Sequence, residues 1–96
     1  DGVAARLSEN RFYVTTTSGT SDTSFAEIQR RILEWNLDVD VLNLTGQLGA
    51  INIVGPLSRR VLARFTDVDL DPVAFPYLAV RQGRVCEEPA MLIRQS

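Results

Sequence analysis

Ninety-six residues with a net charge of −2 and 45% hydrophobic content suit one domain with its own core, and no apolar run approaches the ~20 residues of a membrane span. All ten basic residues are arginine and histidine is absent, which removes a His general base, a Lys Schiff base, a His-ligated metal and a Walker lysine. Chemistry within the chain therefore rests on carboxylates, hydroxyls, Arg, Tyr or backbone amides.

From the N-terminus, Val3, Ala5 and Leu7 alternate with Ala4 and Arg6, the period of a half-buried strand. The polar turn of residues 8–11 leads into β-branched and aromatic residues 12–17, so a hairpin is expected. Small polar residues 18–23 form a loop. Ser24 and Glu27 have the spacing of a capping box. Phe25, Ile28, Ile32 and Trp35 then share one helical face, predicting a helix over 25–36.

Val39 and Val41 open a second expected hairpin whose apolar phase shifts at Leu42 and Leu44; Thr45-Gly46-Gln47 is its turn and 50–54 its return strand. Gly55-Pro56 ends that strand, and proline suits the first turn of a second helix over 56–65, with Leu57, Val61 and Phe65 at i, i+4 and i+8. Residues 66–76, acidic and with two prolines, are expected to be a surface loop. A long strand over 77–86, a turn at Glu87-Glu88-Pro89 and a return over 90–94 complete the pattern. The order hairpin, helix, hairpin, helix, hairpin predicts an α+β fold, mainly antiparallel sheet with two helices packed on it, as a single domain over residues 1–96.

Local chemical signals are weak. Thr15, Thr16 and Thr17 are a run of hydroxyls explained by β-propensity or by a binding site, with Thr15 and Thr17 on one face by alternation. Gly55-Pro56 is a strand-to-helix junction whose helix N-terminus can also hold an anion. Asp67, Asp69 and Asp71 lack the Gly and terminal Glu of a calcium loop, and Glu87-Glu88 reads as a solvated turn, so no metal site is expected. Cys86, the single cysteine, reads as a buried spectator thiol in a reducing, cytoplasmic compartment. The arginines are spread out, with Arg30-Arg31 and Arg59-Arg60 the only doublets, and no basic stripe points to nucleic acid. The start at Asp1-Gly2-Val3-Ala4 has neither a methionine nor a signal-peptide pattern, so an excised or processed chain is expected.

Four stretches occur in a telling order: residues 1–7, the run 11–17, the Val54-Gly55-Pro56 turn, and residues 75–81. Together they resemble the folate-binding, aminomethyltransferase-like region of the alpha subunit of heterotetrameric sarcosine oxidase. Its wider family includes the glycine-cleavage T-protein and dimethylglycine-oxidising enzymes. The resemblance covers essentially the whole chain and implies a ferredoxin-like, T-protein-like subdomain. It implies that Asp1 is the acid–base group beside the folate nitrogens and that Val3 supplies an apolar wall. It further implies that Thr15 and Thr17 line the pterin pocket and that Tyr77 contacts folate. Thr17 departs from the Asn usual in T-protein members. A following Gly-, Tyr- and Glu-containing segment would complete the pocket.

By the same resemblance the parent holds tetrahydrofolate here and FAD, FMN and NAD elsewhere, among other domains and subunits of a hetero-oligomer. It demethylates sarcosine oxidatively, and this region captures the released one-carbon unit. The segment alone is expected to be inactive. A structural or subunit-contact module, or a piece of a T-protein or dimethylglycine-oxidising relative, is the alternative.

Overall fold

The computed structural model describes residues 2–96. It is α+β, with two helices and two separate two-stranded antiparallel sheets. The described residues divide into two compact units, residues 2–4 with 13–50 and residues 5–12 with 51–96.

The first hairpin forms as its alternation predicts. Strand β1 (Ala4–Ser8) pairs with β2 (Arg11–Val14) across the turn at Glu9-Asn10. Arg6 steadies that turn, donating from Nε to the Ser8 carbonyl at 3.1 Å and from Nη2 to the Glu9 carbonyl at 3.0 Å. β2 ends earlier than expected, because Thr17 already leads into a 3-10 turn, Ser18–Thr20, whose closing amide donates from Thr20 to the Thr17 carbonyl at 3.0 Å.

In the rest of the first unit, helix α1 spans Ser21–Glu34 and so begins before the expected capping box. Ser21-Asp22-Thr23 form its first turn, where the Asp22 charge suits the positive end of the helix dipole. Ser24 thus lies inside the helix, and Glu27 pairs with Arg30 and Arg31 instead of reaching back to a cap. The helix ends in a Schellman motif. Asn36 takes a φ of 50°, its amide donates to the Leu33 carbonyl at 3.3 Å, and that of Leu37 donates to Ile32 at 3.0 Å.

The expected middle hairpin does not form a ladder. The turn is there: Gln47 N–H donates to the Leu44 carbonyl at 2.9 Å, with Gly46 at φ 85° where a side chain would be strained. Residues 39–44 and 50–54 nevertheless enter no strand, and only a bridge joins Thr45 to Leu48. β-propensity expresses itself when a pleated face is buried, and Leu42, Ile51 and Val54 remain 81, 88 and 88% exposed.

In the second unit, α2 (Ser58–Leu62) is the regular centre of the helix expected over 56–65. Its flanks are turns, since Arg64 and Phe65 reach back three residues rather than four. Strands β3 (Val80–Val85) and β4 (Glu88–Ile93) pair from Val80–Ile93 to Val85–Glu88. Their turn is Cys86-Glu87, one residue earlier than expected. Both residues have positive φ, 51° and 68°, as a tight primed hairpin turn requires. Cys86 sits at this tip and is exposed, which corrects the expectation of a buried thiol. Pro89 falls within β4, tolerable because β4 pairs on one side only.

The acidic stretch 66–76 is more than a surface loop. It carries Leu70 and Phe75, which with Leu92 form the buried cluster, supported by Leu62, Val68, Ala79, Val85 and Ala90. Its carboxylates hold the bends: Asp69 Oδ1 accepts from the Asp71 amide at 3.0 Å, and Asp71 Oδ1 accepts from Val73 at 2.9 Å. Asp67 Oδ1 accepts from the Arg84 amide at 2.7 Å, beside a bridge from Thr66 to Val85.

Candidate functional site

Asp1 lies outside the described residues; of the other expected site residues, Val3, Thr15 and Thr17 belong to the first unit and Tyr77 to the second, and each group is described by itself. Val3 and Thr15 meet at the base of the first hairpin. Thr15 N–H donates to the Val3 carbonyl at 2.8 Å, while Val3 N–H donates to Thr15 Oγ1 at 2.9 Å. Both residues are half-buried. A hydroxyl that accepts from an amide keeps its own proton to donate, so Thr15 presents an oriented donor.

Gly2 makes this approach possible. A Cβ there would collide with the Thr15 carbonyl oxygen, so any other residue forces the two arms apart. Sequence reading passed over Gly2, because close backbone approach leaves no mark beyond the glycine itself.

Thr17 lies two residues beyond Thr15, at the start of the 3-10 turn. Its carbonyl accepts from both the amide and the hydroxyl of Thr20, each at 3.0 Å. Its own hydroxyl caps nothing, and the residue is exposed.

Tyr77 belongs to the second unit, in the turn that precedes β3. Ala79 N–H donates to the Pro76 carbonyl at 2.9 Å, and Leu78 takes a φ of 65°, a left-handed conformation costly for a branched residue. The turn is tied to the end of β4: Leu78 N–H donates to Arg94 O at 2.7 Å and Arg94 N–H to Ala79 O at 3.0 Å. The Arg94 guanidinium reaches further, with Nη1 donating to the Phe75 carbonyl at 2.8 Å. Thus Tyr77, 62% exposed, projects from a backbone fixed at several points. Arg94 escaped the sequence reading, since nothing in its neighbours marks a clamp.

The first unit thus supplies hydroxyl groups beside an apolar residue, and the second, separately, an exposed phenol. Among the described residues no group of three or more His, Cys, Asp or Glu side chains is placed to hold a metal. No helix is long and apolar enough to cross a membrane.

Comparison with known proteins agrees with the family resemblance. Residues 1–96 match the GCVT N-terminal domain. Sarcosine oxidase subunit alpha of Rhizobium meliloti (strain 1021) is 36% identical over 84 residues, which is 85% of this chain and 8% of that protein. Mitochondrial dimethylglycine dehydrogenase of Rattus norvegicus is 30% identical over 89 residues, 93% of this chain and 10% of its own length. Aminomethyltransferase of Listeria monocytogenes serotype 4b (strain F2365) is 29% identical over 75 residues, 78% of this chain and 20% of its own. The chain therefore spans from 8 to 20% of the length of these relatives. No solved structure matches it at a significant level. With the match running from the first residue to the last, the chain belongs to the GCVT N-terminal domain family.

Proposed function

We propose that this chain is a T-protein-like part of a sarcosine oxidase alpha subunit, and that it helps tetrahydrofolate capture the one-carbon unit released by oxidative demethylation of sarcosine. The observation that carries the reading is the family match along all 96 residues. The identity with sarcosine oxidase subunit alpha supports the choice of parent.

Bound tetrahydrofolate would supply the nitrogen nucleophiles that take up the one-carbon unit. The chain would bind and orient it. Val3 offers an apolar wall, Thr15 a hydroxyl fixed by the Val3 amide, Thr17 an uncommitted hydroxyl, and Tyr77 a phenol on a clamped turn. Asp1 is the proton-transfer group in this proposal, because a carboxylate near neutral pH is ionised and can accept a proton. FAD, FMN and NAD would be held by other parts of the parent, in a cytoplasmic hetero-oligomer.

The test is titration of tetrahydrofolate and of folinic acid into the full-length subunit, wild type against Asp1→Ala and Thr15→Val. One-carbon transfer is expected to collapse in Asp1→Ala with folate binding largely kept, and binding itself to weaken in Thr15→Val. Unchanged transfer in Asp1→Ala removes the catalytic role.

A second reading, that the chain serves chiefly in domain or subunit contact, is favoured by a different observation. Leu33 and Leu42 in the first unit and Ile51 and Val54 in the second are each more than 80% exposed, apolar area normally covered by something. Leu42→Glu would then impair assembly of the parent while leaving folate binding intact.

A further inference from the structure

Two surface depressions of the second unit differ in charge. One, of about 580 Å³, is lined by Arg59 and Arg60 of α2 and by Asp69 and Asp71, so both signs are present. The other, of about 360 Å³, is lined by Arg6 and Arg11 of the first hairpin and Arg81 of β3, with Leu7 and Val80 as apolar wall. Ser8 and Gln82 complete that lining, which contains no acidic residue.

Two of the three guanidiniums are fixed in place without being neutralised. Arg6 is held by the Ser8 and Glu9 carbonyls and lies over the Phe12 ring, 5.9 Å from its centroid. Arg81 donates from Nη1 to the Val80 carbonyl at 2.8 Å and from Nη2 to the Ala74 carbonyl at 2.7 Å. A carbonyl oxygen orients a guanidinium but carries no net charge to cancel it. Each guanidinium has five N–H groups, so several remain on both residues. Arg11 makes no side-chain hydrogen bond and no ion pair among the described residues.

The doublet Arg30-Arg31 shows what this chain does with arginines meant for internal pairing. Their guanidiniums meet Glu27 and Glu34 at 2.7 to 3.6 Å. The hollow has no such carboxylate. Three like charges around one small depression repel one another, and an entering anion reverses that cost.

We propose that this hollow binds a small ligand carrying a carboxylate or phosphate group on a short apolar body. Its anionic oxygens would be held by Arg11 together with the fixed Arg6 and Arg81, in the charge-assisted geometry guanidinium favours. Its apolar part would lie on Leu7 and Val80. A long polyanion is a poorer occupant, because the hollow is small, its lining holds three arginines, and the chain is acidic overall. The site is independent of the folate reading: loss of folate chemistry in Asp1→Ala leaves it standing.

The experiment is calorimetric titration of the full-length chain at low salt with two probes, inorganic phosphate and glutarate, which separate the two sources of anionic oxygen. Saturable binding of at least one is expected, weakening as salt is raised. Arg11→Gln should weaken it about tenfold, as loss of one charge-assisted contact does. Arg59→Gln, removing the same charge from the other depression, should leave it unchanged. Arg11 makes no internal bond that its loss would break, and Arg81→Gln is a second variant with the same expected direction. The thermal midpoint of each variant is read alongside. No saturable binding of either probe, equal weakening by Arg59→Gln, or binding of heparin alone would each overturn the proposal.

Discussion

The two units of this chain solve the burial problem differently. The second has a cluster: Leu70, Phe75 and Leu92 are 6 to 8% exposed, pinned by a hairpin whose strands are joined through a two-residue turn. The first has no buried residue among those described, and Leu33 of its helix and Trp35 just beyond it stand 82 and 62% exposed. An apolar pattern states which side of an element wants cover, but not whether the cover is local. Where the partner is the next strand, the sequence closes on itself. Where it is not, the face stays open and order rests on backbone and charge interactions within the element.

This contrast can be broken by matched truncations. Phe75→Ala should lower the local stability of β3 and β4 by about 3–5 kcal/mol, the cost of emptying a buried aromatic site. Ile28→Ala in α1, where the side chain is already half in water, should cost within about 1 kcal/mol. Hydrogen exchange of the β3 and α1 amides in the full-length chain reads both, and equal losses would erase the distinction.

A glycine pair sharpens it. A Cβ at Gly83 would run into Val68 and come within 2.7 Å of Asp67 Oδ1, whereas one at Gly19, in the first unit, meets nothing within 4 Å. Gly83→Ala should therefore destabilise by about 1–3 kcal/mol through overpacking. Gly19→Ala should be close to neutral, and thermal midpoints of the two variants would reveal the asymmetry.

The same hairpin also stores avoidable strain. Cys86 and Glu87 occupy positive-φ positions that Asn and Gly adopt at little cost. The double substitution Cys86→Asn, Glu87→Gly should raise the stability of the β3–β4 unit by about 1 kcal/mol. A loss of stability on denaturant unfolding would mean that these side chains make contacts worth more than the strain.

What was legible in the sequence follows the same division. Alternation located the first hairpin and the turn at residues 87–89 the last, because each pairs with its own neighbour, and the helix face from Phe25 to Trp35 was plain from spacing. The capping box misled, since Ser24 and Glu27 have the right spacing at the wrong turn of a helix already begun. Residues 39–54 have strand composition, yet composition is silent about whether a partner edge is at hand. Leu70 and Phe75 were hidden among prolines and carboxylates that read as solvent-facing, although those carboxylates bend the backbone to bury them. Of the site, Val3 and Thr15 were reached through family resemblance, and their reciprocal bonds became visible only as geometry. The three-arginine hollow was illegible because folding, not adjacency, brings Arg6, Arg11 and Arg81 together.

The smallest expected effect concerns the charges that stand in for burial in α1. Hydrogen bonding from Arg30 holds the Glu27 carboxyl below its ordinary value of 4.5, with Arg31 acting in the same direction against a partial desolvation. Glu27 precedes Arg31 by four residues, the favourable order along the helix dipole, and Arg30 also bonds Glu34. A carboxyl whose value is lower in the fold than in the unfolded chain contributes stability that is fully present above pH 4.5 and is lost as pH falls through the lowered value. A peptide of residues 18–37 should accordingly lose circular-dichroism helicity as it is acidified below that point, and the loss should shrink at high salt. In the Glu27→Gln peptide the acid-induced drop should be smaller. If the two peptides trace the same curve, α1 is ordered by something other than this network, and the first unit must owe its helix to cover that its own residues do not provide.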